Sequence, residues 1–243
     1  MHGRLALAAL GVALIALAGP ASAQDEPPKP TRFAANFGYV QTNGNTDVVT
    51  ISAGDKLEHD TGSWKLKQEG AAVWGETEGI ETAGRYGVGL QANYGFHPRV
   101  SAYALGGWRR DVFAGIRAEY SEGVGLAFNA IKPAPQQLDF EAGVGLVQRD
   151  PTIGPKDDFT NARFATVYAY DFPNKSRFDG TAVYRLNLDD TDDSDASVRL
   201  AVAAPLATNI ALKLGYDLFY RNKPLPGFEK TDTTLSAGIQ VTI

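Results

Sequence analysis

The chain contains no cysteine, which excludes a disulfide framework and any thiolate metal site. Histidine is nearly as scarce, with only His59 and His97 beyond the first few residues. No GxSxG elbow, P-loop or zinc-ligand spacing occurs, so the sequence offers no catalytic centre, no metal site and no cofactor. Basic residues are not in excess. A formal net charge of −5 without a clustered basic face argues against nucleic-acid binding. Past the N-terminal segment no apolar run approaches the roughly 20 residues of a spanning helix. That last absence leaves membrane-spanning strands untouched, because they carry polar residues at alternate positions and look mildly polar on average.

What is present starts at the front. Arg4 precedes an uncharged apolar run, Leu5 to Ala18, and Ala21-Ser22-Ala23 supplies a small-x-small site. Charge, short apolar stretch and small-residue site in that order mark a secretory signal peptide, 1–23, with cleavage before Gln24. Roughly 220 residues then remain, enough for one large all-β domain. Without disulfides, such an exported domain draws its stability from burial or from a bilayer. Residues 24–32, with Pro27, Pro28 and Pro30 among charges, read as a flexible periplasmic leader.

From residue 33 to residue 243 apolar residues recur at every second position in twelve segments. In 85–96, Tyr86, Val88, Leu90, Ala92, Tyr94 and Phe96 share one face. Arg85, Gly87, Gly89, Gln91, Asn93 and Gly95 share the other. A period of two is a strand signal that no helix gives. The same split runs through 33–42, 64–75, 116–130, 138–149, 161–172, 177–188, 196–206, 210–221 and 231–243. Segments 47–58 and 100–110 are less regular. In the latter Tyr103 and Leu105 fall on the wrong face, which implies a bulge or a different register.

Segments of about 10–12 residues match the 9–11 that a tilted strand needs to cross a bilayer. Trp64 and Trp74 lie on one face, ten residues apart, which spans about 25 Å, the height of an outer-membrane apolar band. Tyr86 with Tyr94 and Phe96, and Tyr120 with Phe128, are spaced almost as widely. These aromatics are the expected interfacial girdles. The fold class predicted is an all-β, antiparallel up-and-down transmembrane barrel of about twelve strands. The competing reading is a soluble, exported β-sandwich that binds a ligand or partner.

An even strand count puts both termini in the periplasm. The connections at the opposite end, including Glu76–Gly84, Asp150–Thr160, Asp189–Asp195 and Asn222–Lys230, then read as longer, more acidic external loops. Asp189–Asp195, with five aspartates, reads as solvated. It lacks the glycine and distal glutamate of a helix–loop–helix calcium site. His59 and His97 both fall at the periplasmic end, where a lipase acting on the outer leaflet could not use them.

The inward face carries charges of both signs. The candidate lumen-lining residues are Arg85, Arg109, Arg117, Glu119, Asp139, Glu141, Arg149, Arg163, Arg177, Asp179, Arg185, Arg199, Lys213 and Asp217. In hydrocarbon each cation would cost about 2–4 kcal/mol near the midplane, so water or mutual pairing must satisfy them. The face fits two fillings: a charge ladder that packs the barrel, or a narrow hydrated pore for small polar solutes or ions.

Gly38-Tyr39-Val40-Gln41-Thr42-Asn43-Gly44-Asn45-Thr46-Asp47 resembles the first hairpin of an uncharacterised-domain family of salt-induced outer-membrane β-barrel proteins. Asn43-Gly44-Asn45 is by itself a turn that tolerates positive φ. The resemblance implies an envelope protein of the bacterial outer membrane that passes small polar solutes or stabilises the membrane under osmotic or salt stress. Its partners would be outer-membrane lipids and lipopolysaccharide, and the barrel-assembly machinery. The terminal row Leu235, Ala237, Ile239, Val241 and Ile243 would serve as assembly signal, although many such barrels end in Phe. The mature chain should begin at Gln24, fractionate with the outer membrane and show a heat-modifiable gel shift. Recovery in the soluble periplasm would favour the sandwich instead.

Overall fold

A computed structural model describes residues 31–42, 48–132 and 134–243. The signal segment, residues 24–30 of the leader and the turn 43–47 lie outside them. Twelve strands follow in order: β1 (Thr31–Thr42), β2 (Val48–Asp60), β3 (Trp64–Thr77), β4 (Ile80–His97), β5 (Val100–Asp111) and β6 (Ile116–Ile131). They continue with β7 (Gln136–Pro151), β8 (Asp157–Asp171), β9 (Arg177–Asn187), β10 (Ser194–Ala207), β11 (Ile210–Arg221) and β12 (Thr231–Thr242). Each pairs antiparallel with its neighbour in sequence, and β1 pairs with β12 to close the barrel. Closure excludes the sandwich, which would need two separate sheets.

The strands run longer than the alternation indicated. β4 has 18 residues and β6 and β7 have 16 each. One reason is the turn Glu78-Gly79, where both residues have positive φ, 53° and 77°. Two successive positive-φ residues make the tight hairpin turn that matches strand twist. The Glu76–Gly84 region is therefore mostly strand, not the long loop its composition suggests. Among the described residues, the two longest connections at the end of the barrel away from the termini are 222–230 and 188–193.

The outer face is apolar. Phe37, Val88, Leu90, Val124, Leu126, Val144, Phe164, Leu214 and Ile239 are all exposed on it. Glu119, Asp139, Glu141, Arg149 and Asn161 are buried inside. Such inversion of the soluble pattern is stable only when hydrocarbon, not water, bathes the outside. Tyr103 is buried and faces the lumen while β5 keeps regular register with β4 and β6 through that region. The irregular face of 100–110 thus reflects a large inward side chain and no bulge at that point. Room for it comes from Gly125 and Gly143, where a Cβ would collide with the Tyr103 hydroxyl. The outer wall is concave across β6–β10, with a groove of about 630 Å³ beside Leu126, Phe140, Phe164 and Tyr184.

Facing is directly testable. Val88→Arg and Leu126→Arg, on the exposed outer row, should each lower folding free energy by about 2–4 kcal/mol and deplete the heat-modifiable folded band. Gln91→Arg should be tolerated, because position 91 already donates to Glu141 across the lumen at 2.9 Å. Equal loss at both faces would overturn this register.

Candidate functional site

The lumen collects side chains from nearly every strand, and it is not uniformly filled. Toward the end away from the termini, Glu119 on β6 accepts hydrogen bonds from three guanidiniums. Arg109 on β5 reaches it at 2.9 and 3.0 Å, Arg149 on β7 at 2.6 Å and Arg185 on β9 at 3.0 Å. Asp195 on β10 receives Arg185 through two nitrogens, at 2.8 and 2.9 Å, and Arg149 at 3.4 Å. Asp193 receives Arg221 at 3.1 and 3.2 Å and Arg149 at 3.3 Å. The Glu119 and Arg149 side chains are each 2% exposed. Planar, forked guanidiniums suit this shared coordination in a way that lysine does not.

Arg109 and Arg149 are also backed by aromatic faces, 4.4 Å from the Phe219 ring and 4.9 Å from that of Phe159. β5 and β11 stand opposite one another in the ring of twelve, so the Arg109–Phe219 contact crosses the lumen. Asp193 comes from the connection 188–193, and this corrects the reading of Asp189–Asp195 as wholly solvated. Its last residues fold inward because four arginines there need counter-charge. The outer part of the loop stays exposed and is clasped by Lys223 on Asp190 at 2.7 Å. The Lys223 hydrogen bond holds the Asp190 carboxyl below its usual range, and Asp190 raises Lys223 in return.

Deeper in the lumen, Arg163 donates to Glu141 at 2.7 Å and lies 5.6 Å from the Tyr103 ring. Asp139 accepts from Asn129 and Gln137. Nearer the terminal end Arg177 bridges Asp171 and Asp179 at 2.8 and 3.0 Å. The wall formed by β10–β12 and β1–β3 differs. Arg199 spans the lumen to Glu69 at 2.8 Å and pairs with Asp217 at 3.1 Å, and Lys213 reaches Asn36 at 3.0 Å. Arg199 is 61% exposed and Glu69 46%, although both point inward from mid-strand. Only water inside the barrel can account for that. Arg85 sits between the two regions, paired with Asp111 at 2.7 Å.

Arg117 corrects the sequence-based assignment. Register steps from Ile116 opposite Pro151 to Ala118 opposite Asp150, a bulge that turns Ile116 inward and Arg117 outward. Arg117 bonds Asp150 and the Thr152 carbonyl, both at 3.1 Å, and is 54% exposed on the outer rim. Arg110 joins it there by donating to the Arg117 carbonyl at 3.1 Å. Of the girdle candidates, Trp64 and Tyr94 are in contact at 5.0 Å between rings, on the outer face near the terminal end. Phe128 stands opposite Phe140, and Tyr86, Phe96, Tyr120 and Trp74 share the outward row. Trp108, which the sequence did not single out, stands opposite Tyr120. His59 contacts Thr31 at 2.8 Å and His97 lies at the end of β4, both at the terminal end of the barrel.

With this geometry in hand, known proteins can be compared. The family model described as "Protein of unknown function, DUF481" matches residues 35–243. No curated protein matches the chain by sequence. Among solved structures, a NanC porin is 11% identical with a TM-score of 0.54, over 86% of this chain and 98% of the porin. An anion-selective porin from Comamonas acidovorans is 10% identical with a TM-score of 0.43, over 88% of this chain and 98% of that one. The NanC likeness is one of fold: the architecture is that of outer-membrane barrels.

Glu119→Gln should cost about 3–5 kcal/mol, because it strips the shared counter-charge from three buried guanidiniums. Arg117→Gln, on the rim, should cost no more than about 0.5 kcal/mol. Denaturant-dependent gel shifts of the refolded protein measure both. Comparable losses would mean that the buried cluster is not a structural centre.

Proposed function

The chain belongs to the DUF481 family of proteins of unknown function, and from the uneven filling of its lumen we propose that it is a narrow outer-membrane channel for small polar solutes. One observation carries the reading: Arg199 and Glu69 face inward at mid-strand yet keep 61% and 46% of their surface. A hydrated path runs along β10–β12 and β1–β3, beside a packed half braced by Glu119. In its lining Lys56 pairs with Glu58 and Glu69, Arg199 pairs with Glu69 and Asp217, and Lys213 donates to Asn36. Such mixed charge suits small polar or zwitterionic solutes and does not repel either sign of ion outright. The width is limited by contacts that cross the lumen.

In this reading the protein is exported, cleaved near Ala23 and inserted by the assembly machinery through its terminal strand, with both termini periplasmic. Lipid surrounds the outer face. Arg110 and Arg117 on the far rim then meet the phosphates of lipopolysaccharide. A second reading, reinforcement of the membrane under osmotic or salt stress, draws on the buried arginine–carboxylate cluster, which salt screens far less than surface pairs.

Single-channel recording of the refolded protein in a planar bilayer separates the two. The channel reading expects small discrete conductance steps. Arg199→Glu should shift selectivity toward cations, because fixed charge in a narrow lumen decides which ion enters. Zero current from folded protein would overturn the channel and leave the reinforcing role.

A further inference from the structure

One outward position breaks the apolar pattern at mid-height. Register sets Gly54 opposite Asn36, whose side chain is held by Lys213 inside the barrel. Strand alternation therefore sends the next residue, Asp55, to the outer face. Asp55 stands opposite Gly70 on β3, and its carboxylate lies over that glycine: a Cβ there would collide with Asp55 Oδ1. The Nε2 of Gln68, also outward, is 3.5 Å from the same point. Among the described residues, neither Asp55 nor Gln68 has a hydrogen-bond or ion-pair partner.

Depth makes this costly. On β3, Gly70 lies between Trp64 and Trp74. At about 2.5 Å of height per tilted residue, Asp55 is roughly 15 Å above the first and 10 Å below the second. A short aspartate side chain reaches neither interface. Elsewhere the outward ionisable groups of the strands, such as Glu122, Arg110 and Asp150, lie close to Tyr120 or the rim, where water is within reach.

We propose that the outer face of β1–β3 around Asp55 is where a second copy of this chain docks within the membrane. The patch carries an acceptor and a donor together, the Asp55 carboxyl and the Gln68 amide, and is thus complementary to itself, as a twofold interface requires. An axis along the membrane normal keeps each residue at its own height. Asp55 and Gln68 differ by about 5 Å, which the glutamine side chain spans to meet the carboxyl of the other copy. Ala35, Ala53 and Ala72 flank the pair and let two walls approach closely, as small residues do between membrane segments. The same contact covers the flank of the β1–β12 closure, where β1 pairs through Ala34–Phe37 and through Phe33 with Ile243. The inference rests on the outer face meeting lipid and is independent of whether the lumen conducts.

The absence of cysteine gives a clean background for cross-linking. Full-length chains carrying Ala53→Cys or Ala72→Cys, treated with a short bismaleimide in native outer membranes, should yield an adduct of twice the chain's mass. Ala162→Cys, on the outer face of β8 opposite β2, should not. Adding Asp55→Leu or Asp55→Asn to Ala53→Cys should keep the folded, heat-modifiable band. The leucine version should lower the adduct about tenfold, whereas asparagine, still able to hydrogen-bond, should retain more. Adducts with a different protein, no adduct from either β2–β3 site, or a yield that Asp55→Leu leaves unaltered would each overturn the second-copy interface.

Discussion

Everything in this molecule depends on closure. In hydrocarbon a strand edge has no water to satisfy its N–H and C=O groups, so a sheet survives there only if its first and last strands meet. Here that duty falls on β1 and β12, paired over Ala34–Phe37 and Ile239–Thr242. Reciprocal bonds between Phe33 and Ile243, at 3.2 and 2.8 Å, fasten the end. Ile243 is therefore part of the closing ladder.

Once the sheet is closed, alternation divides its side chains into two solvents. Lipid takes the aliphatic and aromatic rows, and the lumen takes the charges. Charges in the lumen are then sorted by crowding. Toward the end away from the termini, Arg109, Arg149 and Arg185 converge from β5, β7 and β9, and Arg109 also meets Phe219 across the lumen. Glu119 is the acceptor on which they converge. Where the opposing residues are Lys56, Glu69 and Arg199, the side chains stay wet. One half of the lumen is packed by buried ion pairs and the other keeps its charges exposed, and the same strand alternation produces both.

Much of this is visible in the residues themselves. The alternation in 85–96 and 116–130 identifies strands and assigns Val88, Leu126 and Glu119 to their faces, because a period of two leaves each side chain only two directions. The segments that read poorly have particular causes. Tyr103 blurs 100–110 because a lumen with Gly125 and Gly143 across from it accepts an aromatic ring that composition would assign to lipid. Asp55 blurs 47–58 because it is a carboxyl on the lipid face. Alternation alone assigns Arg117 to the lumen, but a bulge shifts its strand by one residue, and a one-residue slip exchanges the faces. The tight turn at Glu78-Gly79 is hidden in the sequence because the strand residues flanking it are rich in Glu, Thr and Gly.

The sequence by itself determined strand number, the absence of disulfide and thiolate chemistry, and for most residues which face of the sheet the side chain takes. These are properties of local order along the chain, set by a period of two. Tertiary structure alone decided which charges meet. Glu119 and Arg185 are 66 residues apart, and Glu69 and Arg199 are 130 apart. Which of these pairs is dry and which wet depends on which strands face one another across the closed barrel. No local pattern carries that information, because it arises only when strands distant in sequence are brought face to face by closure.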